Sequence, residues 1–155
     1  MKIRILTVGK PGNRHWTALS EMYLNRIHHY VPVVADFIRP EKIASLPVTQ
    51  ILNNEADRLL KKIDTKHYNI VLDKSGETYT SEGFARFFEQ QYNGGIKNMT
   101  YIIGGPLGLS SKVIQAAQKK ISFSPMTFAH DLALIILLEQ IYRAHTILRG
   151  EKYHK

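Results

Sequence analysis

The sequence predicts an α/β fold: a mostly parallel sheet with helices on both faces. Three observations lead there. Short, apolar or β-branched runs at residues 2–8, 33–38, 67–72, 99–103 and 121–123 alternate with longer segments whose apolar residues recur at helical spacing. Gly- and Pro-containing breaks separate them, at Gly9–Gly12, Pro32, Asn93–Gly95 and Gly104–Gly108. The chain has 155 residues, 44% of them hydrophobic and 22% charged, enough for one core and too few for two. We therefore expect a single domain over residues 1–155.

Lys2 to Val8 alternates as a strand, with Ile3, Ile5 and Val8 β-branched. From Arg14 to Tyr30, Trp16, Leu19, Tyr23, Leu24 and Ile27 make a helical stripe that Pro32 ends. Val33 to Ile38 is the second strand, and Pro40 to Pro47 a loop. A helix from Thr49 to Ile63 puts Ile51, Ala56 and Leu59 inward and the polar residues around Glu55 outward. His67 to Leu72 is a strand closed by Asp73–Gly76. Thr80 or Ser81 caps a helix to Tyr92, which Asn93-Gly94-Gly95 ends. Met99 to Ile103 is a strand, a helix follows from Ser110 or Ser111 to Gln118, and Ile121 to Phe123 is the last strand. The final helix starts near His130 or Asp131 and is apolar on nearly every side, so it belongs inside.

In open parallel sheets ligands sit off the carboxyl ends of the strands. Attention falls on three loops: after Leu72, at Gly104–Gly108, and at Ser122–Thr127. The glycine loop is neither a Walker A loop nor G-x-G-x-x-G; it reads as a tight turn or as close backbone approach to a ligand. Thr127 and Asp131 read as helix caps, or the loop around them as a cofactor wall. Glu139 and Arg143 have ion-pair spacing. The tail Arg149–Lys155 is either a solvated end or a cationic, base-stacking arm, and His130 a structural or a catalytic group. The net charge of +8 suits a polyanionic partner as well as plain solubility. With no cysteine, disulfides, thiolate metal sites and cysteine nucleophiles are ruled out. The seven histidines form no metal motif, no G-x-S-x-G elbow occurs, and no run reaches the roughly 18 apolar residues of a membrane span. The start does not read as a signal peptide, so a cytoplasmic location is expected.

Four segments in order carry a family resemblance: I-G-G-P-x-G at Ile103–Gly108, S-x-S-x-M-T-x-x-H at Ser122–His130, E-Q-x-Y-R-A at Glu139–Ala144, and R-G-x-x-Y-H at Arg149–His154. The whole chain resembles the RlmH family of the SPOUT superfamily. Those enzymes are S-adenosylmethionine-dependent methyltransferases acting on N3 of a pseudouridine in 23S ribosomal RNA of the large subunit. The resemblance implies a C-terminal trefoil knot and a homodimer, and a single 155-residue domain with no separate RNA-binding module suits a substrate presented within the assembled ribosome. It implies a cofactor held by Leu72, by Gly104 and Gly105, and by Phe123, Ser124, Pro125, Met126, Thr127 and Phe128. It also implies that the tail of one subunit completes the site of the other, with Arg143, Tyr153 and His154 near the target base. The chain departs from the family pattern at Leu134, where an arginine is usual. Without a cysteine, direct methyl transfer is the expected route, with His154 as base and Arg143 or Lys152 stabilising charge. No metal and no membrane partner are expected. Readings from other classes are a non-catalytic RNA-binding module and a nucleotide-binding regulator.

Overall fold

The computed structural model describes residues 1–43 and 46–154. Ala44, Ser45 and Lys155 lie outside them, and with them part of the expected 40–47 loop and the last residue of the tail. The elements run β1 (Lys2–Val8), α1 (Arg14–His28), β2 (Val33–Ile38), α2 (Val48–Leu60), β3 (Tyr68–Thr78), α3 (Ser81–Asn93), β4 (Asn98–Ile103), α4 (Ser111–Gln115), β5 (Lys119–Ser122) and α5 (His130–Leu148). The five strands form one sheet in the order β2-β1-β4-β3-β5, and every pairing is parallel.

Alternation along the strands divides the core between the two faces. Ile3, Ile5, Ile70, Tyr101 and Ile103 face one side, together with Ile27, Phe84, Phe88, Leu134, Leu138 and Ile141. Leu6, Val8, Val71 and Ile102 face the other, against Ala56, Leu59 and Val113. Thus α1, α3 and α5 cover one face, and α2 and α4 the other. Burial on both faces is why the strands read as apolar runs. α5 packs between α1 and α3, which accounts for its apolar surface on most sides. Leu134, the departure from the family pattern, is 3% exposed and belongs to the chain's own core.

Several boundaries differ from expectation. β3 continues to Thr78, because Asp73–Gly76 is an irregularity within the strand, with β5 paired on both sides of it. At Gly76 a side chain would collide with the Ile121 backbone, so the crossing needs a glycine. α1 stops two residues early, α2 ends at Leu60, and α4 is only five residues long. α3 keeps its expected cap: Thr80 Oγ1 accepts from Gly83 N–H at 3.0 Å. Its end is a Schellman turn, with Ile96 N–H bonded to Gln91 O and Gly95 at φ 80°. Glu55, expected on the outer face of α2, is 5% exposed, because its carboxylate accepts the backbone N–H of Glu41 at 2.9 Å. Among the described residues no helix is long and apolar enough to cross a membrane.

Candidate active site

Adjacent strands β4, β3 and β5 deliver their C-terminal loops to one place, and there a cavity of about 340 Å3 opens. β3 supplies Leu72; β4 supplies Gly104 and Gly105; the loop after β5 supplies Phe123, Ser124, Met126, Thr127 and Phe128. Pro125 is the one expected cofactor residue that does not line it. Asp73, Lys74, Leu107 and His130 also line it; Leu107 and His130 fall within two of the sequence motifs, whereas no motif marked Asp73 and Lys74. The one sequence signal for Asp73 and Lys74 was that they directly follow Leu72.

Local chemistry sets each wall. Gly104 abuts Gly108, whose carbonyl oxygen would lie 2.5 Å from any Cβ added there. That pair closes the tight turn in which Gly108 N–H bonds Gly105 O at 2.9 Å. The loop after β5 is held by its serines: Ser122 Oγ donates to Ser124 O, and Ser124 Oγ accepts from Met126 N–H. Serine hydroxyls spent on backbone leave the apolar side chains to face the cavity, and Met126 and Phe128 are 74% and 38% exposed. Asp73 is bonded by the Ser75 hydroxyl and N–H, which hold its carboxyl below the usual range. Lys120 Nζ in turn donates to Ser75 Oγ, and Lys119 pairs with Glu77.

The caps expected at Thr127 and Asp131 are not formed. α5 starts from Ala129 without a side-chain cap, and Asp131 instead accepts the N–H of Gly12 with both oxygens at 3.2 Å. The loop after β1 is thereby tied to the start of α5. His130 Nε2 lies 3.2 Å from Asp131 Oδ1.

Arg143, Tyr153 and His154 come together elsewhere, at the far half of α5. Glu139 organises them, a role the sequence had suggested only as an ion pair. Its Oε1 accepts from Arg143 Nε at 3.0 Å and Nη2 at 2.6 Å, and from the Tyr153 hydroxyl at 3.0 Å. The guanidinium lies 4.8 Å from the Tyr153 ring centre. Burial, then Tyr23 and Glu139, raises the Tyr153 phenol above its ordinary pKa, so this tyrosine stays a proton donor. His154 Nδ1 faces Arg143 Nη1 at 3.3 Å, and its Nε2 faces Glu82 Oε1 at 2.8 Å. An arginine only donates, so this geometry selects the neutral tautomer with the proton on Nε2 and the lone pair on Nδ1. Glu82 is brought down to about 2 by its own backbone N–H, by His154 and by Thr80. Tyr30 adds a further tie, donating to Glu151 at 2.6 Å, which pushes its own phenol up to about 12. Arg143 lies 13 residues beyond His130, roughly 20 Å along the helix. The cavity and the tail cluster are therefore separate within one chain. Among the described residues no group of three or more His, Asp or Glu side chains is placed to hold a metal ion.

A family model described as a predicted SPOUT methyltransferase matches residues 1–154. The chain belongs to the SPOUT methyltransferase family. A protein of Halothermothrix orenii named ribosomal RNA large subunit methyltransferase H is 41% identical over 159 residues, with both chains fully covered. One of the same name from Enterococcus faecalis is 38% identical, again with full coverage of both. Among solved structures, a putative methyltransferase from Legionella pneumophila in complex with bound SAM superposes with a TM-score of 0.54 at 13% identity. That alignment covers 93% of this chain and 66% of the Legionella chain, and it shows a shared fold. This SPOUT chain is a methyltransferase with the α/β architecture expected from its sequence.

Proposed function

We propose that this chain is an S-adenosylmethionine-dependent methyltransferase of large-subunit ribosomal RNA that acts, as a homodimer in the cytoplasm, on N3 of a pseudouridine. One observation carries the reading: a three-loop cavity off the carboxyl ends of β3, β4 and β5, in a chain matched end to end by large-subunit rRNA methyltransferases. The cavity fits the cofactor. Its volume of about 340 Å3 lies in the range of small-molecule sites, and the turn at 104–108, in which Gly104 packs on Gly108, forms one of its walls. Leu72, Phe123, Met126 and Phe128 offer an apolar wall for a flat ring, with Ser124, Thr127 and the neighbouring Pro125 shaping the rest of the loop.

When bound, the cofactor supplies an electrophilic methyl group. The chain's own residues orient the acceptor and manage its proton. An imide nitrogen must lose a proton as it is methylated, and the Nδ1 lone pair of His154 is a suitable acceptor once released from Arg143. Arg143 then stabilises negative charge on the ring, and Tyr153 remains a hydrogen-bond donor. Because tail and cavity are far apart in one chain, the tail serves the cavity of a second copy. Residues 121–148 follow, on this reading, the knotted path that the family resemblance implies. The +8 charge favours RNA, and a small chain lends itself to a target displayed on the assembled ribosome.

The test is tritium transfer from labelled S-adenosylmethionine to intact ribosomes, free large subunits and naked rRNA, beside calorimetric titration of the cofactor. Label in 23S rRNA at a pseudouridine, greatest with intact ribosomes, is the expected result. Cofactor binding without transfer to any of the three would favour the non-catalytic RNA-binding alternative.

A further inference from the structure

The carboxyl ends of the strands carry more than one hollow, and the hollows form a row. The cavity at β5, β3 and β4 shares Pro106, Leu107 and His130 with a second chamber of about 280 Å3, on the β1 and β2 side of the glycine loop. That chamber shares Pro40 and Glu41 with a third hollow of about 500 Å3, lined also by Arg39, Lys42 and Arg58. From β5 to β2 the row crosses four strand spacings, roughly 19 Å, which is room for a few nucleotides.

Its charges are sorted. The carboxylates along it are occupied by the protein's own donors: Glu41 pairs with Arg58, the buried Glu55 accepts the Glu41 N–H, and Asp73 accepts the Ser75 hydroxyl and N–H. The cations stand one to each hollow: Lys74 at the cavity, Lys10 at the second chamber and Arg39 at the third. All three are exposed, and among the described residues none of them is in an ion pair. Flat faces mark the two junctions, His130 and Pro106 at one and Pro40 at the other. Spaced cations track a phosphate backbone, and flat side chains between them take unstacked bases, so the row suits single-stranded rather than helical RNA.

We propose that this trough is the track of the single-stranded rRNA segment that carries the target. The target base sits at the first cavity, on the methyl donor's own side of the glycine loop. Neighbouring nucleotides run across the second and third hollows, with phosphates on Lys10 and Arg39. The proposal rests on the rRNA methyltransferase reading and adds to it the side from which the RNA arrives.

The test uses the full-length protein with S-adenosylhomocysteine and a fluorescent single-stranded oligouridylate, titrated by anisotropy over a range of salt. Lys10→Gln and Arg39→Gln each remove one phosphate contact, so the slope of log Kd against log salt falls by about 0.7 in either variant. At about 0.1 M salt, one decade below the roughly 1 M at which such contacts vanish, Kd rises about 5-fold. Lys97→Gln removes the same charge just before β4, at the opposite end of the sheet, and keeps the wild-type slope and Kd. Cofactor affinity and Tm stay at wild type in all three. With intact ribosomes as substrate, Lys10→Gln and Arg39→Gln raise KM and leave kcat in place. Equal weakening in all three variants, which marks attraction by net charge alone, overturns the proposal. So does unchanged binding in Lys10→Gln and Arg39→Gln, or no binding of the oligonucleotide to the wild type. A wild type that binds the oligonucleotide through Lys10 and Arg39 but transfers no methyl group refutes the methyltransferase reading and leaves the RNA track standing.

Discussion

Replacing Gly104 by alanine tests whether the β4 loop is shaped for a ligand. The new Cβ would sit 2.5 Å from the Gly108 carbonyl oxygen, 2.6 Å from its carbon and 3.0 Å from Leu109 Cγ. Ordinary contact begins near 3.4 Å, so the loop must retreat by the difference between 3.4 and 2.5 Å, roughly 0.9 Å. Backbone, not a flexible side chain, is in the way, and the Gly108 N–H to Gly105 O bond resists the movement. Overpacking of this kind costs about 2 kcal/mol, which lowers Tm by roughly 4–8 °C for a chain of this size. If this loop gives the cofactor two backbone hydrogen bonds, as the proposed function would have it, losing them at about 0.5–1.5 kcal/mol each weakens binding roughly 5- to 150-fold. Calorimetry with S-adenosylmethionine and thermal denaturation with and without it measure both effects. Gly95→Ala is the control: it strains a turn at φ 80° with open space around it, and should cost stability without touching the cofactor. Wild-type affinity in Gly104→Ala, with Tm unchanged, would refute the argument that the packing of Gly104 on Gly108 shapes the cavity wall.

Two further substitutions probe the core and the tail. Tyr101 is fully buried and its hydroxyl has no partner among the described residues, so Tyr101→Phe should stabilise by about 1 kcal/mol and raise Tm by roughly 2–4 °C; a lower Tm would show that the hydroxyl is satisfied. Glu82 has a folded-state pKa depressed from 4.5 to about 2, so its contribution to tail docking is present above pH 4.5 and fades as pH falls towards 2. NMR signals of residues 151–154 should therefore differ between wild type and Glu82→Gln at pH 6 and converge in acid; identical spectra at pH 6 would exclude Glu82 as the anchor.

What the sequence could show was whatever local pattern decides. β2 ends where expected because prolines bracket it, and Thr80 caps α3 because an N-cap is a contact three residues long. Long-range pairing decided the rest. Asp73-Lys74-Ser75-Gly76 has turn composition, yet it stays inside β3 because β5, some 45 residues on, pairs on both sides of it. Asp131 has cap chemistry and the right position, but a partner 119 residues earlier claims its carboxylate. Glu55 looks like a solvated helix residue until the chain after β2 folds over it. The three loops around the cavity were legible because strand ends in a parallel sheet converge wherever the strands are neighbours. Their division into two chambers was not, because it depends on the strand order.

The distance between cavity and tail admits a decisive experiment. α5 runs unbroken from His130 to Leu148, 18 residues on and roughly 27 Å along its axis. Its buried positions Leu134, Leu138 and Ile141 lock it to the sheet, so the helix cannot bend the tail back. His154 is docked beside the far half of α5, against Arg143 and Glu82. From there His154 does not meet the cavity of its own chain. If His154 acts at a cavity from this docked position, that cavity belongs to a second copy, and two differently crippled proteins should repair each other. His154→Ala has an intact cavity and no imidazole; Gly104→Ala has the imidazole and a damaged cavity. Mixed and allowed to exchange subunits, each heterodimer carries one site with neither change, and at random pairing the mixture recovers roughly a quarter of wild-type methyl transfer. Native mass spectrometry verifies the exchange. Heterodimers that form and stay as inactive as the parents would mean that tail and cavity never meet, and His154 would lose its role in the reaction.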